Sequence, residues 1–345
     1  MYRRAGAPSK PPLPLLIAGA TGVSGYNALA YFQAKYPGQV VGIRPSANTQ
    51  LDGPGIEVCD SEDGRKLGEL FDRYRFAAVL DCGGNCALKP CELNPAMARR
   101  MNVTGVETLL AQTVPRGVRL VHLSVDLVYS GASGRGGYVE TDPPDPVTVY
   151  GKTMFVAEEL VQRADPGTCI LRISLPMGTS LNGHAGAIDW IASRFKKSRP
   201  ATLYFDEVRT PTYTDCLNAL CETVLAGDLA GIYHAGGPLR LSLYQIAQIV
   251  NRAGGYDPDC LFGIPRGEAG PIPPRAGNVT MNSDKLAAAL GYQPFDPWPL
   301  DPLWIPTHNN WHRERPEGEP RGPQQLVESL AQNPNRSAMC LPERP

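Results

Sequence analysis

The stretch LLIAGATGVSG at residues 15–25 constrains this chain more than any other. Apolar residues run into Gly19, further glycines follow at Gly22 and Gly25, and a helical pattern covers Ser24–Lys35. A strand that breaks at a glycine and continues as a helix leaves the first-turn N–H groups of that helix unpaired. Those donors and the positive end of the helix dipole form an anion site. Gly19 permits the tight turn, and Gly22 lets a pyrophosphate approach the backbone. Gly25 allows helix to pack closely on strand. Thr21, Val23 and Ser24 complete the loop. The spacing is Gly-x-x-Gly-x-x-Gly, which differs from the Gly-x-Gly-x-x-Gly of many dinucleotide binders.

The rest of the chain's first half supports the same architecture. Strand patterns at Val40–Arg44, Gly55–Cys59, Ala77–Leu80, Val118–Ser124 and Cys169–Ile173 alternate with helical ones. The helices are predicted over 64–74, 94–112 and 150–162. Such alternation predicts an α/β fold: a doubly wound parallel sheet of Rossmann type, with a smaller C-terminal α/β lobe. After residue 175 the alternation loosens, with helices predicted at 188–196, 214–225, 242–252 and 283–290. The expected organisation is an N-terminal tail at 1–13 and an NAD(P)-binding domain at 14–175. A substrate lobe at 176–307, expected to share sheet elements with the first domain, and a Pro-rich tail at 308–345 complete it. Four of the 34 prolines fall in residues 1–14 and 15 in residues 265–345, so the excess marks the ends. The last segment reads as a tail or surface wrap, with a helix at 324–332.

Charge and cysteine content narrow the function. Lys and Arg number 33 against 34 Asp and Glu, a net charge of −1. A nucleic-acid footprint needs a basic excess, so none is expected. No apolar run reaches about 18 residues, so no membrane span is expected. The nine cysteines lack CxxC spacing, which predicts reduced thiols in a cytoplasmic protein and no zinc site. His308 and His312 are four apart, but the prolines and asparagines around them argue against a helix and a metal.

The strand after the glycine loop ends at Arg44. Many NAD binders place an acid there for the ribose 2′-hydroxyl, whereas an Arg can hold a 2′-phosphate. This predicts NADP(H) in preference to NAD(H). Asp60 is placed either to meet the adenine or to cap the helix beyond it.

Together these residues resemble the extended branch of the short-chain dehydrogenase/reductase superfamily, in its dTDP-4-dehydrorhamnose reductase group. That group includes the related regulatory β subunit of methionine adenosyltransferase. The motifs are GATGVSG at 19–25, VLDCGGNCALKPCE at 79–92, Asn102 in MNVTGVETLL and HLSVDLVYSG at 122–131. VYGKTMFVAEE at 149–159, RTPTYTDC at 209–216 and PRAGNVTMNSDKL at 274–286 complete the set. The resemblance implies that Cys82, Gly83 and Gly84 line the cofactor and that Asn102 supports the site backbone. It places Pro176 near the nicotinamide and makes Tyr150 the catalytic tyrosine. It also implies a small-molecule substrate of nucleotide-sugar type, and a homodimer or protein partner.

The catalytic motif then departs from that family. Its active set is Ser or Thr, a Tyr, and a Lys four residues after the Tyr. The Tyr gives a proton to a carbonyl oxygen as hydride arrives, and the ammonium lowers the Tyr pKa. Here the i+4 residue is Met154 and the Ser/Thr position is Val125. Lys152 stands at i+2, about 200° around a helix. Two readings are open: an atypical reductase or epimerase using Tyr150, or an NADP-binding regulatory subunit with impaired chemistry. Asp126, Ser124 and Cys86 are the candidate helpers for Tyr150. On the substrate side, Arg209 is placed to meet a phosphate or carboxylate. Thr210 and Tyr213 are placed to bond a sugar, or Pro211 and Tyr213 only build the lobe interface. Arg275 matches a family segment, and Lys285 reads as a residue on a solvated helix face.

Overall fold

The computed structural model of the protein describes residues 10–84, 86–314, 322 and 326–333. Its main sheet holds β1 (Leu15–Ala18), β2 (Val40–Arg44), β3 (Ile56–Val58), β4 (Ala78–Asp81), β5 (Arg119–Val125) and β6 (Cys169–Ile173). A seventh strand, Gly231–Ala235, lies outside β6. All pairings are parallel, in the order seventh strand, β6, β5, β4, β1, β2, β3. Every residue of β1, β2, β4 and β6 is buried. Helices cover both faces, which is why these strands read as apolar runs without alternation. Leu16, Val79 and Leu120 pack against Leu70, Leu109 and Val161 on one face. On the other, Leu15, Ile17 and Leu171 share a core with Phe32 and Leu220.

Strand order reverses beside β1. The chain moves outward from β1 to β3, then returns to pair β4 on the other side of β1. Diverging connections at that point open a crevice beyond the C-terminal strand ends, the usual ligand position of such sheets.

Local chemistry sets the element ends. The helix predicted over 94–112 begins after Asn94, whose side chain accepts from the Met97 N–H at 2.9 Å. It is not uniform: Pro95–Arg99 and Gly105–Thr113 are α-helical, and a π turn at Arg100–Thr104 separates them. Such widened turns recur at functional sites, and this one carries the buried Asn102. The helix Gly64–Tyr74 is capped by Asp63, which accepts from the Lys66 N–H at 2.9 Å. Asp60 is therefore not its cap.

The second half does not stand apart from the first. Its strand Gly231–Ala235 pairs with β6 from Cys169 to Ile173. Three two-stranded pairs complete the lobe among the described residues. The Pro-rich end also differs from a surface wrap where it is described. Trp311, Leu326 and Leu330 lie in the main core. Trp298 donates its indole N–H to the Leu330 carbonyl at 2.7 Å. Lys285 is not simply solvated: its ammonium donates to the Ile232 carbonyl at 2.7 Å and lies 4.4 Å from the Tyr233 ring centre.

Candidate dinucleotide crevice and reaction centre

The glycine loop has the geometry its chemistry requires. Gly19 has φ +70°, and a Cβ there would stand 2.5 Å from the Cys82 carbonyl oxygen. Gly25 touches the loop from the other side: a Cβ would lie 2.1 Å from the Gly19 oxygen. Neither position accepts a side chain without moving backbone. Gly22 is the opposite case, since a Cβ would meet nothing nearer than 3.6 Å. Gly22 caps the helix Val23–Lys35. A pyrophosphate therefore fits where the first-turn N–H groups emerge.

The crevice beside this loop is lined by Gly19, Thr21 and Gly22, then Asp60, Gly83 and Gly84 among others. Val23 and Ser24 are half-buried in the first turn of the helix. The Asp60 carboxylate accepts the Ser46 N–H at 2.9 Å and its hydroxyl at 2.7 Å, fixing the loop after β2. Arg44 is buried, and its guanidinium donates to the Asn48 carbonyl. Its Nε has no hydrogen-bond partner among the described residues. The crevice lining includes its neighbours Ile43 and Pro45 but not Arg44 itself.

Asn102 joins the crevice to the reaction centre. Its amide nitrogen donates to the Thr153 hydroxyl at 2.9 Å, and its oxygen lies 3.2 Å from a Cβ placed on Gly84. Thr153 donates to the Val149 and Tyr150 carbonyls at 3.0 and 2.9 Å. Pro176 is half-buried in a short strand that pairs with Thr212–Tyr213.

At the start of the helix Val149–Ala164, Tyr150 and Met154 lie in one apolar cluster with Cys91, Val128 and Val279. Val125 packs against the same cluster. The Met154 sulfur lies 3.6 Å from a Cβ placed on Gly84. The three expected reactive positions thus converge, and two of them are apolar. Lys152 is exposed on another side of the helix. Burial, first of all, holds the Tyr150 phenol well above its ordinary pKa, and nearby Cys86 and Asp126 add to this. The nearby Arg209 cation acts weakly against it. The phenol stays protonated across the neutral range, and its hydroxyl has no hydrogen-bond partner among the described residues.

Several expected site residues serve other purposes. Ser124 points to the opposite face of β5 and donates to Glu158. That carboxylate is held by Arg172, whose Nε and NH2 group donate at 2.9 and 2.6 Å. Ser124 is fully buried there and is not a helper of Tyr150. Asp126 is near Tyr150, but its two oxygens are taken by Arg209 at 2.5 Å and Ser174 at 2.5 Å. Arg209 is buried between Asp126 and Glu207, so it does not stand open to a substrate anion. Thr210 is buried, with its N–H donated to the Ser174 hydroxyl at 3.2 Å. Tyr213 is fully buried: its hydroxyl donates to the Ser329 carbonyl at 2.6 Å and accepts from the Leu300 N–H at 3.0 Å. It builds the interior instead of meeting a sugar. Cys86 is exposed beside Tyr150. Arg275 pairs with Glu207 at 3.7 Å and lies 4.5 Å from the Tyr204 ring centre.

His308 is exposed and pairs with Glu314, whereas His312 is buried against Gln248, so the two do not share a site. Among the described residues no group of three or more His, Cys, Asp or Glu could hold a metal ion. No described helix is long and apolar enough to cross a membrane.

A profile of the RmlD substrate binding domain family matches residues 13–299. A probable low-salt glycan biosynthesis reductase of Haloferax volcanii is 29% identical over 197 residues, 56% of this chain and 65% of that protein. The methionine adenosyltransferase 2 subunit beta of Xenopus laevis is 25% identical over 284 residues, 79% of this chain and 80% of that one. Among solved structures, a dTDP-4-dehydrorhamnose reductase from Bacillus anthracis in complex with NADP superposes with a TM-score of 0.67. It is 17% identical and covers 82% of this chain and 95% of its own, a likeness of fold.

Proposed function

The chain belongs to the RmlD substrate binding domain family, and from that premise we propose that it binds NADP(H) while its reductase chemistry is largely suppressed. One observation carries this reading. At the positions where the reaction needs a hydroxyl and an ammonium, Val125 and Met154 close an apolar cluster around Tyr150. NADPH, when bound, supplies a hydride. What this chain lacks is the means to polarise the acceptor carbonyl and to ease the phenolic proton away. The buried Asp126–Arg209 pair does not replace the missing lysine, because the Arg209 cation is already matched by Asp126 and Glu207. The likeness to a methionine adenosyltransferase subunit over most of the chain supports a role exercised through a protein partner. The substrate class, if one is turned over, is a keto nucleotide-sugar.

The test has two arms. NADPH binding is followed by the change in its fluorescence, and turnover by loss of NADPH absorbance with a panel of 4-keto nucleotide sugars. Binding without turnover across the panel is expected. Turnover that disappears in Tyr150→Phe would overturn the suppressed reading and establish a reductase. That second reading has its own support in the protonated hydroxyl of Tyr150. In either case the cofactor choice rests on Arg44. Arg44→Asp is expected to weaken NADPH binding by roughly 10–100-fold, the value of one charge-assisted contact, and NADH binding far less. Equal losses, measured by titration, would remove the preference for NADP(H).

A further inference from the structure

Asp81 and His122 lie inside apolar strands, yet they form a buried pair at the centre of the site. Asp81 ends β4 and His122 lies opposite it in β5. Their relative exposures are 3% and 1%. One Asp81 oxygen meets His122 Nδ1 at 2.7 Å. The other accepts the Gly83 N–H at 2.9 Å. His122 Nε2 is buried with no hydrogen-bond partner among the described residues.

The carboxylate holds a turn with no slack. Cys82 follows Asp81, and its carbonyl is the group that Gly19 approaches. Gly84 has φ +114° and faces Asn102 and Met154. A Cβ on Gly83 would come within 2.8 Å of the Asp81 oxygen. The Asp81 carboxylate thus sits under the junction where the two cofactor-facing loops meet. A buried carboxylate left with one partner would swing or draw in water, and the Gly83 amide would move with it.

Resting on the reading that this crevice binds a nicotinamide dinucleotide, we propose that His122 is a positioning residue for that binding. By holding one oxygen of Asp81, it aims the other at Gly83 and so fixes the Cys82–Gly84 turn against the glycine loop. His122 does not touch the dinucleotide itself.

The experiment compares the full-length chain with His122→Leu and His122→Asn by fluorescence titration with NADPH. The Asn amide nitrogen can stand where Nδ1 stands, whereas Leu removes the donor. His122→Leu is expected to weaken NADPH binding about tenfold, as loss of one hydrogen bond to a charged group would. His122→Asn should stay within about threefold of the parent by the same arithmetic. Each titration is paired with thermal unfolding, and with adenosine 2′-monophosphate, a ligand that carries the 2′-phosphate and no pyrophosphate. A positioning role weakens NADPH and spares adenosine 2′-monophosphate. Equal weakening of both ligands, or equal NADPH affinity in the parent and His122→Leu, would overturn the proposal. Should His122→Leu fail to fold, Asp81→Asn with His122→Leu removes the unpaired charge and leaves the side chain at 81 without its cross-strand partner. Its NADPH affinity should remain low, and parental affinity would overturn the proposal. Failure of the parent itself to bind NADPH would instead sink the dinucleotide reading.

Discussion

Met154→Lys combined with Val125→Thr is expected to raise NADPH-dependent reduction of a keto nucleotide-sugar by about 10²–10⁴-fold, the usual worth of general acid–base assistance. The group to be activated is the Tyr150 phenol, which burial keeps well above its ordinary pKa. Position 154 lies one turn along the same helix, against Gly84. An ammonium there favours the phenolate, so the proton leaves Tyr150 more readily. A hydroxyl at 125 gives the acceptor carbonyl a donor that Val125 cannot supply. The pH profile gives an independent check. As the Tyr150 pKa falls, activity should decline on the alkaline side where the acid form is lost. Tyr150→Phe in this background should abolish the gain. Met154 is only 2% exposed, so the lysine also costs stability until a ligand covers it. Melting temperature should drop without NADPH and recover with it. A double variant that binds NADPH and still shows no gain would mean that something other than these two positions limits the chemistry.

The parallel sheet and the glycine loop are legible in the sequence because each rests on local signals. Leu15–Ala18 is apolar throughout, and Gly19, Gly22 and Gly25 follow it at the local spacing of turn, approach and packing positions. That Met154 lies on the same helix face as Tyr150 is legible from the helix period, and that Ser124 and Val125 face opposite sides from the strand period; that a catalytic set is expected there comes from the family resemblance. The partners of polar residues are not legible. Arg209 reads as a free cation in sequence, but the fold brings Asp126 onto it from 83 positions away. Tyr213 reads equally as a sugar contact or as part of the lobe interface, and its hydroxyl is claimed by Ser329, 116 residues away. His122 gives no warning of its role, because one histidine inside an apolar strand carries no spacing signal. Its meaning appears only when β4 sets Asp81 beside it. Sequence period reports which face a residue occupies, and tertiary pairing decides whether that face is free.

Glu158→Ala should be the most destabilising single change, at about 3–5 kcal/mol, because it strands a buried guanidinium. Arg172 is 2% exposed and Glu158 1% exposed, and two of Arg172's nitrogens donate to that one carboxylate. A third donates to the Tyr129 hydroxyl at 2.6 Å, and Tyr129 in turn meets His234 at 3.0 Å. The network therefore ties β5, β6 and the seventh strand to the helix that carries Tyr150. Removing the carboxylate leaves Arg172 charged in a dry interior, since a guanidinium keeps its proton in a protein and Glu158 is the group that offsets its burial. The loss should appear as a lower urea midpoint with an unchanged slope, which marks reduced stability of the same folded state. Glu158→Leu with Arg172→Met removes both charges and keeps most of the volume. It should recover most of the lost stability, because apolar replacements of buried pairs are often neutral. If the double variant were no more stable than Glu158→Ala, the uncompensated charge would not be the cause. The cost would then lie in the packing of the Tyr150 helix on the sheet, and NADPH affinity should fall in step with stability in both variants.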